Sequence, residues 1–145
     1  PHFESDMAHV VEGFFHRAHQ VLAREEPTLR FASIHGMQGP GVGLSNGTYS
    51  PLGEASVLGR LGRALQDQTD LPVTTCNPVD GIELRQELCG TTNTQGRHLN
   101  QAPDACVEGA LDASGRFLHI ELSARARQNP ELLSAAFSDA LAGVP

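Results

Sequence analysis

Histidine and carboxylate side chains carry most of the chemistry open to this chain, and two of them sit two residues apart in its clearest strand. Arg116-Phe117-Leu118-His119-Ile120-Glu121-Leu122 alternates, so Leu118, Ile120 and Leu122 share one face while Phe117, His119 and Glu121 share the other. A strand buried on both faces of an α/β sheet should be apolar on both. His119 and Glu121 on one face therefore cost desolvation free energy unless they are paired or face a cavity. An edge strand with one wet face would also accommodate the pattern. His35 ends a second run, Arg30-Phe31-Ala32-Ser33-Ile34-His35, and precedes a glycine, which places it at the carboxyl end of a strand. Open α/β sheets bind ligands just outside those ends. A neutral imidazole there can hold a metal or shuttle a proton; the plain alternative is a histidine in a surface turn.

Two further constellations stand out. His9-Val10-Val11-Glu12 has the form His-x-x-Glu. On a helix both side chains face the same way and can reach one ion, and both are normal zinc ligands. Glu12 and His16 are also four apart, which suits a simple exposed pair on a solvated helix face. Thr91-Thr92-Asn93-Thr94-Gln95-Gly96-Arg97 concentrates hydrogen-bonding groups without hydrophobic anchors. Arg97 is a fixed fork suited to a carboxylate or phosphate, and Asn93 can hold a carbonyl or amide. An ordinary polar loop would read the same way.

These residues need elements to position them. Met7, Val10, Val11, Phe14, Phe15, Ala18, Val21 and Leu22 recur at helical spacing. They predict a first helix capped by Ser5 or Asp6 and stopped at Pro27, with His9, Glu12, His16 and His19 on its polar face. Val42-Gly43-Leu44-Ser45 reads as a strand, followed by a turn at Asn46-Gly47. Asn46-Gly47-Thr48 also matches a glycosylation sequon. Ser50-Pro51 opens a second helix with Val57, Leu58, Leu61, Ala64 and Leu65 on its apolar face, where Gly59 and Gly62 would permit close packing. Val73 to Cys76 is a short strand, and 77–115 reads as irregular, the kind of long loop that is usually functional or poorly ordered. Asn129-Pro130 starts a last helix that buries Leu132, Leu133, Ala136, Phe137, Ala140 and Leu141 and ends at Gly143. Strands alternating with helices predict an α/β domain: three layers, with a mostly parallel sheet flanked by helices.

The chain has 145 residues, enough for one domain over 1–145, either on its own or as the carboxyl-terminal part of a longer protein. Seventeen acidic residues against ten basic ones give a formal net charge of −7. That balance argues against a nucleic-acid or anionic-membrane partner. No apolar run approaches the roughly 20 residues needed to cross a bilayer. Every basic residue is Arg, so Schiff-base chemistry and a phosphate-loop lysine are excluded within this chain. A Gly-x-Ser-x-Gly elbow, a Walker loop and a dinucleotide fingerprint are all missing. The spacing of Cys76, Cys89 and Cys106 does not suit a structural zinc site. One disulfide from Cys106 to Cys89 or Cys76 is expected if the chain is secreted or periplasmic; otherwise all three are free thiols.

The order His9-x-x-Glu12, then His35 after a strand, then Glu121 in a late strand resembles the zinc carboxypeptidase-like hydrolases. The nearest branches are N-formylglutamate amidohydrolase and the poly-γ-glutamate hydrolases. The resemblance implies that His9, Glu12 and His35 hold zinc and that Glu121 is the general base on metal-bound water. It also implies that Asn93 and Arg97 bind the carboxylate of a small or polymeric acidic substrate. Three protein ligands would leave one position for water, whose pKa zinc lowers toward ~7. The expectation is a zinc-dependent amide hydrolase. The alternative is a secreted binding or assembly module without catalysis, which could self-associate through its odd cysteine.

Overall fold

The computed structural model describes residues 7–53 and 55–142. In chain order the elements are α1 (Phe14–Glu25), β1 (Phe31–Gly36), β2 (Val42–Ser45), α2 (Val57–Gln68) and β3 (Val73–Thr75). They continue with β4 (Glu83–Leu84), α3 (Thr94–Leu99), β5 (Phe117–Leu122), α4 (Ala124–Arg127) and α5 (Pro130–Leu141). The five strands form one sheet in the order β1-β5-β2-β3-β4. β1 and β5 run parallel, β2, β3 and β4 run parallel to one another, and the two blocks meet antiparallel at β5 and β2. This is the expected α/β architecture, with helices on both faces.

The alternation of β5 divides the molecule. Leu118, Ile120 and Leu122 join Val42, Leu44 and Val73 in a core closed by Leu58, Leu61 and Leu65 of α2 and Ala136 and Ala140 of α5. Each fully buried leucine there is worth about 2 kcal/mol of transfer free energy. Gly62 makes the close approach expected of it: a Cβ there would lie 2.3 Å from Ile82 Cδ1. The opposite face carries Phe117, His119 and Glu121, with Ser33 and His35 of β1 and Ser45 and Gly43 of β2 as their register partners. β5 is central rather than at an edge, and all six of its residues are buried. A wet edge therefore does not explain His119 and Glu121.

Local expectations yield where tertiary partners claim the same groups. α1 starts at Phe14, not near Met7, so His9 and Glu12 do not lie on a helix. The Ala8 carbonyl accepts from the Thr94 amide at 2.8 Å and the Met7 carbonyl from Gln95 Nε2 at 2.9 Å. Those carbonyls are thereby committed to α3 rather than to a helical turn. The caps expected at Ser5 or Asp6 and the stop at Gly143 lie outside the described residues. The faces of α1 are also reversed. His16 and His19 are buried, whereas Phe14 is 89% exposed and Phe15, Val21 and Leu22 are about half exposed. α2 is capped by Ser56, whose Oγ accepts from the Gly59 amide. Ser50 is unavailable because its hydroxyl donates to the Leu111 carbonyl and its own carbonyl accepts from Asn77. The 77–115 stretch is not wholly irregular: it holds β4 and α3. Asn46 is buried, its Oδ1 accepting from the amide and hydroxyl of Thr48, so the sequon lies inside the folded chain.

The disulfide joins Cys76 to Cys89 and leaves Cys106 free and exposed, correcting the expected pairing through Cys106. It closes a loop of 13 residues' separation, worth about 3 kcal/mol in the chain-entropy account. Alkylation of the native protein should label Cys106 alone. Reduction, or Cys89→Ser, should lower the unfolding free energy by about 2–4 kcal/mol in denaturant titrations. Equal midpoints with and without reductant would contradict this.

Candidate functional site

His9, His35, Asn93, His119 and Glu121 line one cavity of about 140 Å³, closed further by Ala8, Leu88, Gly90 and Thr92. β1 delivers His35 and β5 delivers His119 and Glu121, in parallel register with His35 opposite Glu121. The loop before α3 delivers Asn93, and the segment ahead of α1 delivers His9. Gly90 lets the loop close over His119. Its φ is +66°, and a Cβ there would sit 2.5 Å from the imidazole Cγ, so a side chain would be both strained and in collision.

His119 and Glu121 are each 5% exposed, and His119 Nε2 lies 3.6 Å from Glu121 Oε1, beyond hydrogen-bond range. The His35 and His119 rings stand 5.0 Å apart between centroids. His119 Nδ1 is buried without a partner among the described residues. Burial, reinforced by His35 and Arg85, pushes the His119 pKa down to about 4, so the ring is neutral at physiological pH. Burial also raises the pKa of Glu121, against the opposing pull of His35 and Arg85. The neutral ring matters for the carboxylate. An imidazolium beside it would hold its proton affinity down, whereas a neutral imidazole leaves the effect of burial standing.

Asn93 has two tasks. Its Oδ1 accepts from the Gly96 amide and caps α3, and its Nδ2 donates to Ser33 Oγ at 3.0 Å. Ser33 Oγ lies 2.7 Å from His35 Nε2. Ser33 thus links Asn93 to the His35 ring and fixes the ring's orientation.

Of the six residues given roles by the resemblance, four meet here and two do not. Glu12 is exposed and is not among the cavity-lining residues. Arg97 spends its guanidinium on the backbone, with Nε on the Thr91 carbonyl at 2.8 Å and Nη1 on the Cys106 carbonyl at 3.1 Å. It holds the loop rather than reaching a substrate. Arg85 is the cation that acts on His119 and Glu121, although it does not itself line the cavity. Gly43, opposite Glu121 in the register, lacks the side chain that would block it: a Cβ there would lie 2.2 Å from Arg85 Nη1 and 3.4 Å from Glu121 Cβ. Among the described residues the Arg85 guanidinium makes one hydrogen bond, to Met37 Sδ, a weak acceptor.

The zinc triad His9, Glu12 and His35 is not assembled. His9 Nε2 lies 3.1 Å from Thr92 Oγ1, and Glu12 lies elsewhere. Among the described residues no three His, Cys, Asp or Glu side chains are placed to hold a metal ion. His119 and Ser33 join the site by strand alternation and the i, i+2 spacing to His35, both readable in sequence. Arg85 gave no such signal, because it arrives from the loop after β4. No protein-family model matches the chain, and no curated protein or solved structure is similar to it.

Proposed function

We propose that this cavity hydrolyses an amide bond next to a carboxylate, with Glu121 as the general base on the attacking water. The observation that carries this reading is a buried carboxylate of raised proton affinity beside a neutral imidazole, both opening on one cavity over β1 and β5. Glu121 takes a proton from water, the hydroxide oxygen bonds to the carbonyl carbon, and the amide C–N bond breaks. The proton held by Glu121 then passes to the leaving nitrogen. His35, oriented by Ser33 and Asn93, is the ring placed to donate to the polarised carbonyl. Arg85 pairs with the substrate carboxylate in place of Arg97. The described residues do not present the zinc triad, so no step is routed through a metal.

Hydrolysis of N-acyl amino acids with acidic and with neutral side chains tests the reading, with zinc content measured on the same preparation. Arg85→Gln is expected to raise KM for acidic substrates by about tenfold or more and to leave neutral ones unchanged. No turnover of any amide, with or without added zinc, would overturn the hydrolase. A disulfide between described cysteines fits an oxidising compartment, so a secreted or periplasmic setting accompanies the proposal. No described helix is long and apolar enough to cross a membrane.

The binding or assembly module keeps one observation in its favour: the outward apolar face of Phe14, Phe15, Val21 and Leu22 on α1. Concentration-dependent self-association that disappears with Phe14→Ser would favour it.

A further inference from the structure

α1 lies on the sheet through an unusual set of side chains. His16 and His19 are its buried face, together with Ala23. Their rings meet His98 of α3 at 5.8 and 6.3 Å between centroids, and His19 packs on Phe31 of β1 at 4.3 Å. His16 Nδ1 and both ring nitrogens of His19 are buried without a hydrogen-bond partner among the described residues. Arg116 reaches under the end of the helix, donating to the Ala23, Glu26 and Leu29 carbonyls. The charged or titratable groups acting on the two rings are His98, Arg17 and Arg116, together with the rings on each other. None of these is a carboxylate. A proton placed here meets only positive neighbours and no acceptor.

The segment ahead of α1 is part of the site wall. Ala8 and His9 line the cavity, and the segment runs directly into α1, so its release with the helix also breaks its bonds to Thr94, Gln95 and Thr92. We propose that α1 is an acid-released clamp: protonation of His16 and His19 lifts it from the sheet and draws the Ala8–His9 segment off the cavity. The clamp opens more often in mildly acidic surroundings than near neutral pH, and each opening uncovers the cavity to larger substrates. This inference does not depend on what the cavity does.

The signs agree. Burial first, then His98, His16 and Arg116, lower the His19 pKa from 6.5 to about 4, and His16 is shifted the same way. An opened helix returns both rings to ordinary values. Opening therefore takes up protons, and the closed form is lost progressively as pH falls below the ordinary histidine value. From His19 alone the opening equilibrium should rise on the order of tenfold between pH 7 and 5.

Hydrogen exchange of the intact protein, corrected for the intrinsic pH dependence of exchange, tests the clamp. The α1 and 7–13 amides should lose protection together by about tenfold from pH 7 to 5, through an opening of lower free energy than the one that exposes β5, whose own protection also falls with pH through His119. His19→Leu should hold α1 closed at pH 5. His98→Gln, at a half-buried position, removes one positive neighbour and should shift opening to lower pH, which keeps the test decisive if the first variant fails to fold. One opening free energy shared by α1 and β5 at every pH, pH-independent α1 protection, or a 7–13 segment that stays protected while α1 opens would each overturn the proposal.

Discussion

Glu121→Gln is expected to lower amide hydrolysis by about 10²- to 10⁴-fold while leaving the fold intact and, at neutral pH, somewhat more stable. The glutamine keeps the shape of the side chain near the carboxyl end of β5 and removes its charge. The direction of the stability change follows from linkage. Burial raises the folded-state pKa of Glu121 above its ordinary 4.5. Below that ordinary value both folded and unfolded chains hold the proton and no penalty exists. As pH rises through it, the unfolded chain ionises first, and the folded state loses stability until it ionises too. Wild type carries this penalty in full above the folded pKa, and the glutamine variant never does. Urea midpoints should therefore favour Glu121→Gln at pH 7, with the gap narrowing toward pH 4. The acid limb of kcat/KM should lie above the usual carboxylate range, because activity needs Glu121 deprotonated. His119 works in the other direction: its pKa of about 4 means that stability is lost as pH falls from 6.5 toward that value. A variant that keeps wild-type rates would remove Glu121 from the chemistry. One that loses activity and fold together would make its role structural.

What the sequence made legible is what strand alternation and helical caps encode. β5, β1 and β2 could be read from runs of β-formers, and alternation alone put His119 and Glu121 on the face opposite the leucines. That face is where the cavity lies, so the strongest local oddity in the chain pointed to residues that line it. Legibility ended where a distant partner decides. The apolar spacing from Met7 to Leu22 promised a long helix with a buried greasy face. The surface offered to it is instead built from Phe31 of β1, His98 of α3 and the Arg116 fork, and the imidazoles pack there. Ala8 gave its carbonyl to Thr94, 86 positions along by number, and the helix could not reach back past Gly13. Arg97 looked like a free fork because spacing cannot show that the Thr91 and Cys106 carbonyls occupy it. Arg85 looked like nothing, because its place depends on the gap at Gly43 in a different strand.

Asn77→Ala should be the most damaging single truncation away from the cavity, costing about 3–5 kcal/mol. Asn77 is fully buried just past the end of β3. Its Oδ1 accepts from the Asn46 amide at 3.1 Å, and its Nδ2 faces Asn46 Oδ1, the Thr48 carbonyl and the Ser50 carbonyl at 2.9–3.0 Å. Alanine removes all of these at once and leaves a buried amide and two main-chain carbonyls without their partner. Each buried group stranded in this way costs about 1–3 kcal/mol. The turn it secures also touches the site. Ser45, one residue before Asn46, donates its hydroxyl to the Cys89 carbonyl, and Gly90 next to it closes over His119. A loosened turn should therefore let the loop lift from the imidazole and admit water, returning the His119 and Glu121 pKa values toward ordinary ones. The expected result is a melting temperature lower by roughly 10 °C or more, together with an acid limb of activity shifted downward at temperatures where the variant is still folded. A large loss of stability with an unmoved pH profile would separate the turn from the site. The Cys76–Cys89 bridge would then be what holds Gly90 against His119.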